Sequence, residues 1–354
     1  MKPVYINSVA SISAQSTFDN SVFLEDIAEH TDNVIRAMNP NYKEFIPPAA
    51  ARRMAKGIKM GVATSKIALK EANLENVDAI ITGTGLGCIA DSEKFVSKII
   101  NDNEEYLTPT SFIQSTHNTV AGQIALGIGC KGYNFTYVHS SISFESALLD
   151  AKLQLENDEA QNILVGGVDE LADHHIKIHK LVNHIKKDVV NSRDLLESGT
   201  KGAVFGEGAS FFVLSNEKSE TTYAQVLDVT AYNSLPAEEL QNGLKSFLHE
   251  NSLEIEDIDI VVLGNNGDID YDTYYNLLSQ GSLKNTAQVY YKHLCGEFNT
   301  ASSFGIWMAT KMIRTQRIPE AVRLNGIQPS KIGTVLLYNQ YRGENHSLVL
   351  LRGC

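Results

Sequence analysis

One pattern occurs twice in this chain and restricts the fold more than any other feature. A helical stretch followed by Leu74-Glu75-Asn76-Val77-Asp78-Ala79-Ile80-Ile81-Thr82-Gly83 returns, half a chain later, as Leu253-Glu254-Ile255-Glu256-Asp257-Ile258-Asp259-Ile260-Val261-Val262-Leu263-Gly264. In both copies a short apolar run follows a helix and ends at glycine, which predicts a buried strand. Duplicated strand–helix units point to an α/β fold of packed layers, built from two βα halves. The polar segment Asn216 to Thr222 is the natural seam, giving halves 1–216 and 223–354 that share one core. With 354 residues and 43% apolar content the chain can bury that core.

The stretch from Gly132 to Ala147 carries the chemistry. Phe135 to Val138 is an aromatic and β-branched run and predicts a buried strand. From Ser140 a helical pattern begins, with Ile142, Ala147, Leu148, Ala151 and Leu155 on one face and Ser140 or Ser141 as cap. A strand breaking sharply into a helix presents its turn residue at the positive helix end. Free backbone N–H groups there stabilise a thiolate or an oxyanion, so this is a setting for an acyl-transfer nucleophile. Its occupant is His139.

The surrounding motifs resemble those of the condensing enzymes, and among them the β-ketoacyl-acyl-carrier-protein synthases. Thr108-Pro109-Thr110-Ser111-Phe112 through Asn118-Thr119-Val120-Ala121-Gly122-Gln123 looks like the family's approach to its nucleophile strand. Ile163-Leu164-Val165-Gly166-Gly167-Val168-Asp169-Glu170 is similar to its strand ending in two glycines, and Phe205-Gly206-Glu207-Gly208-Ala209 to its Gly-Glu-Gly-Ala strand. The resemblance implies the thiolase-like αβαβα layering of two duplicated halves.

It also implies a site that has lost its reagents. Synthases of this family use a Cys with two His, or with a His and an Asn; His139 stands in the Cys position. The family's His-Gly-Thr motif falls near Leu263-Gly264-Asn265-Asn266-Gly267-Asp268, without a His between residues 250 and 292. Lys-x-x-x-Gly-His appears as Lys292-His293-Leu294-Cys295-Gly296-Glu297, with Glu297 in the catalytic His position. The Gly-Phe-Gly-Gly gate becomes Gln340-Tyr341-Arg342-Gly343. Lys292 is expected to pair with Glu297 or Glu207. A silent copy that keeps this fold implies a chain-length-factor-like subunit, pairing with an active ketosynthase that extends carrier-bound acyl chains in a type II polyketide or fatty-acid-like system, such as one making polyenes or aryl polyenes. By the same resemblance Phe112, Gln114, Ser115, His117 and Tyr341 face the substrate tunnel or the partner. Two other readings stand beside it. One is a homodimeric acyltransferase or malonyl decarboxylase using His139 with a nearby Ser; the other is a homodimeric binding protein that sequesters an acyl chain or carrier without chemistry.

Composition narrows the rest. A net charge of −12 argues against nucleic acid, and an acidic surface is a poor sole dock for an acidic carrier protein. Cys88, Cys130, Cys295 and Cys354 form no disulfide or metal spacing, so a cytoplasmic setting is expected. No membrane span, signal peptide or cofactor motif is read; Gly83-Thr84-Gly85-Leu86-Gly87 lacks the following Lys-Ser/Thr of a phosphate loop. His174, His175, His179 and His184 lie where the chain departs most from the family. His175 and His179 would share a helical face, yet a solvated helix is favoured over a metal site.

Overall fold

The computed structural model describes residues 2–107 and 109–354; Thr108, first residue of the approach motif, lies outside the described residues. The first half supplies strands β1 (Val4–Ile12), β2 (Ala79–Gly83), β3 (Tyr133–Tyr137), β4 (Asn162–Asp169) and β5 (Gly208–Ser215). The second supplies β6 (Ala224–Tyr232), β7 (Ile260–Leu263), β8 (Ala287–Tyr290), β9 (Thr334–Tyr341) and β10 (Glu344–Arg352). Their order across the sheet is β3-β2-β4-β5-β1-β6-β10-β9-β7-β8. Read inward from each edge, the two halves have the same order, and the repeated segments supply the equivalent strands β2 and β7. Each is parallel to both its neighbours. The halves meet at an antiparallel junction of three residue pairs, Val4 with Val226, Tyr5 with Gln225 and Ile6 with Ala224.

The helices, in chain order, are α1 (Pro48–Ala51), α2 (Lys56–Glu71), α3 (Ile89–Asn101), α4 (Pro109–Ser115), α5 (Thr119–Ile128), α6 (Ser143–Glu156), α7 (Asp173–Leu181), α8 (Leu240–Glu250), α9 (Thr273–Ser279), α10 (Lys292–Cys295) and α11 (Ser302–Thr315). Alternation along the strands sorts them into layers. Ile81, Val165, Val262 and Leu337 point inward to a core shared with Phe144 and Leu148 of α6 and Trp307 and Met308 of α11. Ile80, Leu164 and Phe211 point outward, under Ile58 of α2 and Ile124 of α5. Val261 and Leu336 lie under Phe247 of α8 and Leu278 of α9. From Ser302 to Ile313 α11 is buried continuously, as a central helix must be. The result is the thiolase-like αβαβα fold.

Three local expectations are corrected. The apolar spacing of Met54, Ile58, Val62, Ile67 and Leu69 predicts one helix over 49–73, but it is broken: Ala55 is extended (φ −56°, ψ 161°), so α2 starts at Lys56 and turns the Gly57 N–H toward Glu170. Strand β3 exists, but as the sheet edge its Tyr133 and Phe135 are exposed in the single chain, not buried. Neither Ser140 nor Ser141 caps α6. Instead Ser143 Oγ accepts the His139 N–H at 2.8 Å and donates to the Ser140 carbonyl at 2.6 Å, folding the turn on itself.

Candidate active site

The strand-to-helix break after β3 turns on Ser140, which has φ +54°. A non-glycine residue there is strained and persists only where the surroundings dictate it. Because the chain reverses at that residue, the two side chains flanking the bend part company. His139 turns away along α6: its Nδ1 lies 3.1 Å from Ser146 Oγ and its ring stands edge-on to Tyr137. Ser140 turns inward and lines a cavity of about 210 Å³, with Glu297, Phe298, Asn299, Asp169, Glu170 and Tyr341 among its walls. His139 is not part of that lining. His139, which the sequence puts in the nucleophile position, thus lies outside this cavity, and the strained turn places Ser140 there instead.

Opposite Ser140, the loop after α10 brings Glu297 into the interior, 2% exposed. Its Oε2 accepts from Lys292 Nζ at 2.7 Å and from Asn266 Nδ2 at 2.6 Å. Of the two carboxylates considered for Lys292, Glu297 takes it; Glu207 instead pairs with Lys56 and accepts the Ala37 and Leu171 N–H groups. Asn266 sits in the loop after β7, within the segment matched to His-Gly-Thr, and was not foreseen as part of the site. The signal was the Asn-Gly step closing an apolar strand. The Asn266 and Gly267 N–H groups donate to Asp272, which fixes that loop. The two segments that align with the family's His motifs thus deliver an amide and a carboxylate, joined by a hydrogen bond.

The remaining walls are acidic or neutral. Asp169, at the end of β4, accepts from Thr84, Gly85 and Thr300 and so pins the glycine-rich turn after β2. Glu170 accepts the N–H groups of Gly57 at 2.5 Å and Ala90 at 3.1 Å. Burial outweighs those donors and pushes its carboxyl up to about 7. Tyr341 closes β9 at the turn formed by Arg342 (φ +55°) and Gly343 (φ +77°), and burial raises its phenol to about 12. His175 and His179 reach the cavity on one face of α7, their rings 4.2 Å apart, with His179 resting on Phe205. The His179 and His184 Nδ1 atoms lie 2.9 Å apart, sharing a hydrogen bond, while the His174 N–H donates to Glu93. Burial depresses His179 to about 4. Among the described residues no three His, Cys, Asp or Glu side chains are grouped to hold a metal ion.

Of the residues expected at a tunnel, only Tyr341 lines this cavity. Phe112 is exposed on α4 against Phe95, and Ser115 Oγ bonds the Phe112 carbonyl. Gln114 is buried and accepts the Ala55 N–H; His117 lies against Gly87. They belong to the surface formed by α3 and α4.

The β-ketoacyl synthase N-terminal domain model matches residues 11–220. The chain belongs to the β-ketoacyl synthase family. It is 21% identical over 246 residues to 3-oxoacyl-[acyl-carrier-protein] synthase 2 of Staphylococcus aureus strain N315, covering 62% of this chain and 58% of that protein. It thus spans under two-thirds of such a relative's length. Among solved structures, the ishigamide ketosynthase/chain length factor superposes with a TM-score of 0.84 at 16% identity, over 100% of this chain and 99% of that one. A ketosynthase in complex with its chain length factor from Xenorhabdus doucetiae gives 0.76 at 15%, over 100% and 98%. At these identities the likeness defines the fold. Among the described residues no helix is long and apolar enough to cross a membrane.

Proposed function

We propose that this chain is a catalytically silent β-ketoacyl synthase homologue that pairs with an active ketosynthase and sets the length of the acyl chain it builds. The observation that carries this is Glu297, a buried carboxylate locked by Lys292 and Asn266 where condensation needs an imidazole. A condensing site must accept a thioester and accommodate the malonyl carboxylate that is lost. Here the walls include the carboxyl groups of Asp169, Glu170 and Glu297, and the Lys292 ammonium that could receive an added carboxylate is already paired with Glu297. Ser140 is no substitute nucleophile. Its hydroxyl has one hydrogen-bond partner among the described residues, the Asn299 Oδ1 at 3.4 Å, and an amide oxygen cannot take a proton to activate it.

The need for a partner is supported by the sheet edge. β3 leaves one row of backbone groups unpaired, and Tyr133, Phe135 and Val138 are 44%, 45% and 41% exposed. Leu126 of α5 and Leu153 of α6 extend the apolar surface at 77% and 46% exposure. An apolar edge strand of this kind is a liability unless a second subunit covers it. An acyl carrier protein would serve the paired complex, in a cytoplasmic pathway of the polyketide or polyene type.

Affinity purification from the native host, with native mass spectrometry of the complex, tests the proposal. A one-to-one assembly with a synthase that retains its Cys is expected; self-association alone would remove its support. The alternative of a homodimeric acyltransferase or malonyl decarboxylase at His139 has weaker geometry, because Ser146 Oγ already donates to the Ile142 carbonyl at 2.9 Å. His139→Ala is expected to leave the complex's turnover unchanged.

A further inference from the structure

His293 follows Lys292 on α10 but faces a different space. It borders a cleft of about 770 Å³ formed by the segments around residues 24–27, 192–193 and 317–323, none of which lines the candidate active site. A volume of that size is typical of small-molecule sites. One wall is a stacked pair, the Tyr290 and His293 rings 3.9 Å apart with 23° between their planes. Leu24, Ile27 and Ile318 add apolar surface.

Two polar atoms of the wall's residues are buried without partners. The His293 ring is 3% exposed, with Nε2 at 2.9 Å from the Ala321 carbonyl. A carbonyl only accepts, so Nε2 carries the hydrogen, and burial holds the ring neutral by pushing its pKa to about 3. Nδ1 is then a free acceptor and has no partner. Arg323 donates through Nη2 to the Ile318 carbonyl at 2.8 Å, while its Nε is buried and unpartnered. Arg323 makes no ion pair among the described residues. Leaving a charged donor unsatisfied is costly, which is the ordinary signature of a missing partner. At the rim Arg317 and Arg193 add positive charge, each partly offset: Arg317 lies 3.6 Å from Glu25 and Arg193 2.9 Å from Glu29, with Glu320 also in the lining. Three guanidiniums, from Arg193, Arg317 and Arg323, thus line this cleft beside Glu25 and Glu320.

We propose that this cleft binds a small molecule carrying a phosphate or carboxylate on a ring or short hydrocarbon body. The oxyanion would bridge Arg323 and Arg317, and the body would lie along Tyr290 and Ile318. The site is independent of the silent condensing centre and stands whether or not that reading holds.

Calorimetric titration of the full chain with phenyl phosphate, benzoate, inorganic phosphate and benzyl alcohol tests it. Saturable binding of phenyl phosphate or benzoate below about 1 mM is expected, with the stronger of the two identifying the anion. Benzyl alcohol should not bind, and inorganic phosphate should bind more weakly than phenyl phosphate. Arg323→Met is expected to weaken binding roughly tenfold or more, and Arg317→Met severalfold. Should Arg323→Met fail to fold, the exposed Arg317→Met carries the comparison. No saturation by either aromatic anion overturns the proposal. So does benzyl alcohol binding equally well, or affinity unchanged in both arginine variants that fold.

Discussion

Glu297 occupies a position from which it cannot be removed cheaply. Burying two opposite charges is tolerable only while each keeps the other, so Glu297→Ala strands the Lys292 ammonium in a dry interior. Chemical denaturation should register a loss of about 3–5 kcal/mol, and replacing both residues by apolar ones should cost far less. Glu297→His alone is expected to restore no condensation, since Asn266 and Ser140 remain; product detected from that single variant would refute the reading of a multiply degenerate centre. Glu170 gives a test by pH. Its folded carboxyl is raised from 4.5 to about 7, so the folded state holds the proton more tightly than the unfolded chain. The stabilisation is complete below pH 4.5 and is lost as pH rises toward 7, up to about 3 kcal/mol from this group. Glu170→Gln should flatten that slope in a series of melts between pH 4.5 and 7. The residues of this centre were unequally legible in the sequence. Lys292 and Glu297 stood at fixed spacing in one motif. The inward turn of Ser140, rather than His139, depends on the sign of one backbone angle, which a run of small polar residues does not disclose. Asn266 was less legible, because an amide in a loop becomes part of a site only through the tertiary contact that brings it to Glu297.

At the scale of elements, the edge strand and the helix α7 carry the tests. Phe135 stacks on Tyr133 at 6.0 Å and tilts against Tyr137 at 4.9 Å, forming an aromatic ladder on an unpaired edge. Phe135→Lys should abolish the complex by size-exclusion chromatography while leaving the melting of the single chain nearly unchanged. The sequence led to the opposite expectation for this strand, because an aromatic run looks the same whether covered by its own chain or by another. On α4, Ser115→Trp is expected to shorten the product of the reconstituted pair; identical products would remove α4 from the tunnel. The histidines of α7 respond to acid. Each of His175, His179 and His184 is depressed by burial, so protonation favours the opened segment. Stability from this group is full above pH 6.5 and falls as pH drops toward 4. Protection factors along 173–184, corrected for the intrinsic exchange rate at each pH, should therefore fall between pH 6.5 and 4.5, and less so in His179→Phe, whose ring could still rest on Phe205.

For the whole molecule, the duplication was the most readable feature, because two copies of one strand announce a symmetric sheet before any packing is known. What could not be read was how narrowly the halves join. Three residue pairs link β1 to β6, and much of the rest of the union is made by α6 and α11 between the two parts of the sheet. That placement of β1 also bears on how the chain is made. Val4–Ile12 pairs with residues 209–215 on one side and 224–226 on the other, so the first strand leaves the ribosome some two hundred residues before either neighbour. At ordinary elongation rates this is a delay on the order of 10–40 s. Throughout it an apolar nine-residue strand waits unpaired, and the nascent chain at that stage is a natural client for a chaperone.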